Sequence, residues 1–209
     1  MIDSLWSYTL LAAGSLVPVL NPFAIIPPFV AMTGDNTVAQ RKAMARRAAL
    51  IAAGVLTAFA LLGLRILGFF GVSQAAFQIA GGLVLVRVAF ELLQGGGALK
   101  VTPEERAEGT LKNDISVSPL AIPILCGPGS ITAAILVSGE ASTAVHLAVL
   151  VATIGLAYAG IFVLLRFVSE HSHRLGDTPI KVSSRLMGLI LVAVSVQFVL
   201  EGIRTAALF

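Results

Sequence analysis

PLAIPILCGPGSIT, residues 119–132, lies inside an apolar run yet holds three prolines and two glycines in fourteen residues. Proline removes a backbone donor and its ring clashes with the preceding turn. Glycine frees the backbone and exposes it. An uninterrupted membrane helix has no need of either at this density. The stretch therefore reads as a broken helix, and Gly127-Pro128-Gly129 marks the break.

The rest of the chain supplies the setting. Of its 209 residues 57% are hydrophobic and 12% are charged, against about 45–50% and 25% in soluble chains. Mean hydropathy is +0.94. This composition is that of a polytopic membrane protein, all-α in class. Cys126 is the single cysteine, which excludes an internal disulfide and any CxxC metal or redox motif. The start, MIDSLWSYTLLAAG, carries Asp3 and no basic segment, so the first apolar run is expected to be retained rather than cleaved.

Six segments approach the ~20 apolar residues that a span requires. They are Leu5 to Met32, Ala48 to Phe70, Ala75 to Leu93, Pro119 to Val137, Val145 to Val168 and Leu186 to Ile203. The first is interrupted at Asn21-Pro22 and again at Pro27-Pro28. Arg41, Lys42, Arg46 and Arg47 fall between spans one and two, and Arg174, Lys181 and Arg185 between five and six, with Arg166 near the end of five. Lys100, Arg106 and Lys112 lie in a mixed-charge stretch between three and four. Basic loops favour the cytoplasm. Both termini are therefore expected to face outward across a cytoplasmic (inner) membrane. Residues 95–118, opening on three glycines, read as a cytoplasmic linker between units 1–94 and 119–209.

The two units can be laid on one another. Pro22 matches Pro128, Gly54 matches Gly160 and Gly82 matches Gly188, each at an offset of 106 (128 − 22, 160 − 54, 188 − 82). GLVLVRVAFELL then faces GLILVAVSVQFV, with Glu91 opposite Gln197. Three spans per unit reverse direction, so the second unit is inverted relative to the first. In inverted-repeat transporters, matched interruptions point to a binding site near the midplane. Here the first and fourth helices are the broken ones.

A break leaves N–H and C=O groups without intrahelical partners. In hydrocarbon these must face protein or a wet cavity. Half-helix N-termini suit a carboxylate, and free C-terminal carbonyls suit an ammonium. Two opposed breaks thus suit a small zwitterion such as an α-amino acid. Asn21 can donate or accept, Ser130 and Thr132 add hydroxyls, and Gly127 and Gly129 allow close approach. A kink serving only packing is the plainer alternative.

NPFAIIPPF (21–29), IAGGLVLVRVAFELL (79–93), PLAIPILCGPGSIT and SRLMGLILVAVSVQFVLEGI (184–203) resemble the MarC/SnatA family of bacterial and archaeal inner-membrane proteins. The resemblance runs nearly the length of the chain. It implies six spans and, for the SnatA members, transport of small neutral amino acids such as glycine and alanine, in the direction of export. By position it places Asn21, Pro22, Gly127, Pro128 and Gly129 in the paired motifs. Arg87, Glu91 and the double proline at 27–28 depart from the family pattern and bear on coupling rather than fold.

Arg87 and Glu91 are four apart and can pair on one helix face. Charges inside a span are functional hypotheses by default, although Arg87 can also snorkel toward an interface. Glu91 reads as the one acid inside a span that could carry a coupling proton, and Gln197 opposite it cannot titrate. His171, His173 and Asp177 form a loop cluster too sparse for a metal site. No HExxH, GxSxG or P-loop pattern occurs. The expectation is a non-enzymatic secondary transporter with no cofactor, metal or nucleic-acid partner, acting on a small neutral amino acid in a lipid bilayer. A non-transporting membrane subunit and a passive channel remain the alternatives, and the oligomeric state is not legible.

Overall fold

In the computed structural model, residues 4–34, 36–94, 116–171 and 177–207 are described. Their elements are α1 (Leu5–Leu20), α2 (Ile26–Met32), α3 (Val38–Phe69), α4 (Gln74–Leu93), a π-helical segment (Ser116–Leu125), α5 (Pro128–Gly139), α6 (Ala144–His171) and α7 (Asp177–Ala206). No strand occurs among the described residues.

Local chemistry sets the boundaries. Ser4 caps α1 by accepting the Ser7 N–H at 3.1 Å. Thr37 and Gln40 form a reciprocal capping box at the start of α3. That cap begins the helix ten residues before Ala48, where the apolar run alone would start it. Arg41, Lys42, Arg46 and Arg47 are consequently helical rather than in a loop. Likewise α7 begins at Asp177, ahead of Leu186. The last three residues of the expected linker, 116–118, are helical, and 95–115 lie outside the described residues.

Among the described residues, four helices are long and apolar enough to cross a membrane: α3, α4, α6 and the Arg185–Ala206 part of α7. The short apolar helices are α1 and α5. At 1.5 Å per residue α1 extends about 24 Å and α5 about 18 Å, each less than a ~30 Å hydrocarbon core. The interruptions at Asn21-Pro22 and Gly127-Pro128-Gly129 therefore bound real helices, whereas Pro27-Pro28 lies within the first turn of α2 and interrupts nothing.

The helices bury small and apolar faces against one another and turn equally apolar faces outward. Ala45, Ala48, Ala52 and Leu56 of α3 are buried, while Leu50, Leu61 and Leu64 are exposed. Leu150, Ile154 and Tyr158 of α6 are buried, while Leu156 and Val163 are exposed. An exterior this apolar suits lipid rather than water. The most extensive packing is between α4 and α7. They run antiparallel: Gly202 meets Ala75 and Gln78, and Gly188 meets Ala89 and Leu92. α1 and α5 are also antiparallel. Tyr8 at the start of α1 donates to the Val137 carbonyl near the end of α5, while Val19 lies against Gly129 at the other end of the pair.

Candidate functional site

The end of α1 follows from Asn21. Its backbone is left-handed, with φ 38° and ψ 73°, a region asparagine tolerates better than most residues. Its N–H closes on the Val17 carbonyl at 3.0 Å, and its own carbonyl accepts from Ala24 N–H at 3.0 Å. Pro22 occupies the second position of that four-residue turn, where its fixed φ is favoured. The Asn-Pro pair thus terminates one helix and turns the chain into α2.

The second break is built differently. Pro119 and Pro123 provide no N–H, and the segment around them winds with a wider register, in which Cys126 N–H reaches back five residues to the Ala121 carbonyl at 2.9 Å. Gly127 is then extended (φ −92°, ψ 173°) and is the N-cap of α5, with Pro128 at the first helical position, where a missing N–H costs nothing. The side chain of Pro128 lies outside the described residues. No side chain caps this end. The first intrahelical bond runs from Ile131 N–H to the Gly127 carbonyl at 3.1 Å. The amides of Gly129 and Ser130, one residue earlier in the helix ladder, therefore have no intrahelical acceptor.

The antiparallel pairing of α1 with α5 brings these two ends together. A methyl group at Gly129 would lie 3.4 Å from Val88 Cγ2, 3.5 Å from Val19 Cγ1 and 3.8 Å from Leu85 Cδ2. Gly129 is thus flanked by the last turn of α1 and by one face of α4. Asn21, two residues beyond Val19, is only 2% exposed. Neither its Oδ1 nor its Nδ2 has a hydrogen-bond partner among the described residues. Stranding buried polar atoms costs about 1–3 kcal/mol each. A carboxamide left so, beside an uncapped helix N-terminus, offers one donor group and one acceptor to a ligand that can use both.

The neighbouring residues complete the wall. Ser130 is buried and donates its hydroxyl to the Gly127 carbonyl at 2.9 Å. Cys126 is buried. Tyr158 of α6 donates to the Leu125 carbonyl at 2.8 Å and so fixes the end of the π-helical segment. Nothing in the sequence marks this tyrosine beyond its being one of two in the chain. Thr132 is placed otherwise than expected: its methyl group faces Gly81 of α4, a packing position one turn into α5.

Arg87, Glu91 and Gln197 are not brought to the breaks. Arg87 is 84% exposed by side chain and pairs with Glu91 at 3.5 Å on the outer face of α4. The same helix turns Leu85 and Val88 toward Gly129. Gln197 is exposed and donates Nε2 to Glu201 Oε1 at 3.0 Å on α7. Of the loop cluster, His171 stacks on Phe167 with ring centroids 4.5 Å apart; His173 and the side chain of Asp177 lie outside the described residues. No group of three potential metal ligands occurs among the described residues.

The family model described as MarC family integral membrane protein matches residues 6–207. The UPF0056 membrane protein MJ1677 of Methanocaldococcus jannaschii is 36% identical over 201 residues, covering 96% of this chain and 98% of that protein. The UPF0056 membrane protein YvbG of Bacillus subtilis is 35% identical over 192 residues, covering 91% of each chain. The UPF0056 membrane protein YhcE of Escherichia coli is 34% identical over 190 residues, covering 90% of this chain and 88% of that one. No solved structure matches.

Proposed function

The chain belongs to the MarC family of integral membrane proteins, and on that footing we propose that it is a secondary transporter of small neutral amino acids such as alanine and glycine, working in the direction of export. The observation that carries this reading is the buried, unpartnered carboxamide of Asn21, two residues beyond the contact of Val19 with Gly129 at the uncapped start of α5. The open amides of Gly129 and Ser130 would take the substrate carboxylate, as helix N-termini take anions. The last carbonyls of α1 and Asn21 Oδ1 would take the ammonium. Val19, Leu85 and Val88 surround Gly129 with apolar groups and offer a charged side chain no partner.

The transport cycle proposed is rocking of two inverted three-helix repeats in a six-span bundle. α1 with α2 forms the first span, and the π-helical segment with α5 forms the fourth. Support comes from the contacts of matched elements: α1 packs on α5, α3 on α6 and α4 on α7. The proposed location is the cytoplasmic membrane with both termini outward. Arg41, Lys42, Arg46 and Arg47 at the start of α3 lie at the same end of the bundle as Arg166 near the end of α6, which the Lys42–Glu170 ion pair joins to it. Clustered basic residues favour the cytoplasmic side. The reaction needs no enzyme chemistry, cofactor or metal.

The experiment is flux of labelled alanine and glycine in proteoliposomes, wild type against Asn21→Gly. Saturable flux that Asn21→Gly abolishes is the expected result. No flux in the wild type would identify a non-transporting subunit, and flux without saturation a passive channel.

A further inference from the structure

At the end of α5 remote from the breaks, side chains from four other elements meet around Glu140. Gln74 and Gln78, one turn apart on α4, reach across: Gln74 Nε2 donates to the Gly139 carbonyl at 2.9 Å, and Gln78 Nε2 donates to Glu140 Oε1 at 2.7 Å. From α1, Tyr8 donates to the Val137 carbonyl at 3.0 Å, and the Glu140 N–H closes on the same oxygen at 3.2 Å. The Tyr8 ring meets His146 of α6 edge-on, with centroids 4.7 Å apart. Glu201 of α7 is a further carboxylate whose charge reaches Glu140.

This cluster has a defect. Gln78 is 1% exposed, and its Oε1 has no partner among the described residues. An ionised Glu140 only accepts hydrogen bonds, so Gln78 must present its Nε2 and strand its oxygen. A protonated Glu140 removes the conflict. A carboxylic acid and a primary amide can form a paired ring, in which Nε2–H donates to one carboxyl oxygen and the other oxygen donates its O–H to Oε1. The partner missing from Gln78 is therefore an O–H, and Glu140 can supply it by taking up a proton.

We infer that Glu140 and Gln78 form a proton-binding latch, closed when Glu140 is protonated and loosened when it ionises, that holds this end of α5 against α4. α5 is a single twelve-residue helix with this latch at one end and the Gly127–Ser130 break at the other. A tilt released at Glu140 is transmitted along a rigid rod to the break. The latch thus deepens the transport reading by naming a coupling group, while proton binding at Glu140 stands without it.

The groups facing Glu140 favour the protonated form. Burial pushes its carboxyl above the usual carboxylate range, and the Glu201 charge adds to the push; the amino-terminal charge and the Gln78 amide oppose it. Tyr8 and His146 are the titratable groups from α1 and α6. His146 Nδ1 is engaged by the Thr143 hydroxyl at 2.9 Å, and its Nε2 is buried without a partner. α4 contributes only its two glutamines. α3 packs Gly63 on Ile135 of α5, and its Arg65 is exposed. On α7, Arg204 is exposed three residues beyond Glu201.

The test needs no amino acid, so its outcome is separate from that of the flux experiment. Full-length protein in liposomes is titrated by infrared difference spectroscopy. The wild type should lose one protonated-carboxyl band above the ordinary carboxylate range, and Glu140→Gln should lack that band. Alkylation of Cys126, the native single cysteine, is then followed over the same pH range. The ratio of wild-type to Glu140→Gln rate should rise several-fold through that titration, because the neutral glutamine stays latched. Gln78→Leu should alkylate fast at acid pH, where the wild type is protected. An unchanged band in Glu140→Gln, or a flat rate ratio, overturns the proposal.

Discussion

Gly82 of α4 and Gly188 of α7 make the same contact in opposite directions. A methyl group at Gly82 would stand 2.8 Å from the Ser195 carbonyl oxygen and 3.1 Å from the Val199 amide of α7. One at Gly188 would stand 3.1 Å from the Ala89 carbonyl oxygen and 3.1 Å from Leu93 Cγ of α4. Ser195 and Val199 lie 106 residues beyond Ala89 and Leu93 (195 − 89, 199 − 93), the offset that also relates the two glycines. Small residues let helix backbones approach closely in membranes, and here both crossings depend on it.

Gly82→Ala and Gly188→Ala are therefore expected to destabilise the protein by about 1–3 kcal/mol each, the usual cost of overpacking. Each crossing includes a backbone carbonyl oxygen, that of Ser195 or of Ala89, which cannot move aside as a rotamer can. Gly54 and Gly160 are the matched control. A methyl group at either meets nothing within 4 Å. Gly54→Ala and Gly160→Ala should leave stability unchanged or raise it by up to roughly 1 kcal/mol through helix propensity. Thermal unfolding of the four purified variants in one detergent separates the pairs.

Asn21→Gly isolates the ligand-binding role of the side chain from its role as a helix terminator. Glycine adopts φ 38° without strain, whereas alanine does not. The change deletes two buried polar atoms that bond to nothing. Stability without ligand should hold or rise, since those atoms cost about 1–3 kcal/mol each. The rise in Tm that alanine or glycine confers on the wild type by mass action should disappear. A retained ligand shift in Asn21→Gly would remove Asn21 from the site.

Both breaks could be read from the chain because proline and glycine act on their own backbone. Asn21-Pro22 ends α1, and Gly127-Pro128 starts α5, where those residue types act locally. The start of α3 was missed, because the apolar run begins only at Ala48 while the Thr37–Gln40 capping box that starts the helix at Val38 is polar. What composition could not reveal is which distant groups remain unpaired. The solitude of Asn21 depends on what surrounds it in three dimensions. The Gln78–Glu140 bond spans 62 residues and the Tyr8–Val137 bond 129. Thr132 follows the break and reads as a ligand hydroxyl, while the contact that depends on the three-dimensional packing is that of its methyl group with Gly81.

Glu140 also sets an acid-side pH dependence of stability. Its folded pKa is raised, with burial the first cause and Glu201 the next. The favourable state is the protonated one. Its contribution is complete below the unfolded value of about 4.3 and is lost as pH rises through the higher folded value. Wild-type Tm should fall across that window relative to Glu140→Gln, whose side chain does not titrate. Parallel Tm curves for the two proteins would show that Glu140 titrates alike in both states.

Arg87 and Glu91 supply the opposite case, charges that stand out in the sequence but face away from both sites. Their ion pair is exposed on α4, while Leu85 and Val88 of the same helix face Gly129. Replacing both residues together avoids leaving one charge alone on an apolar surface, which would be costly in itself. Arg87→Leu with Glu91→Leu should therefore keep the ligand-induced Tm shift and the pH step in Cys126 alkylation. Loss of the alkylation step with the ligand shift intact would move the proton site from Glu140 to Glu91. Loss of the ligand shift alone would mean that the outer face of α4 positions Leu85 and Val88 against the break.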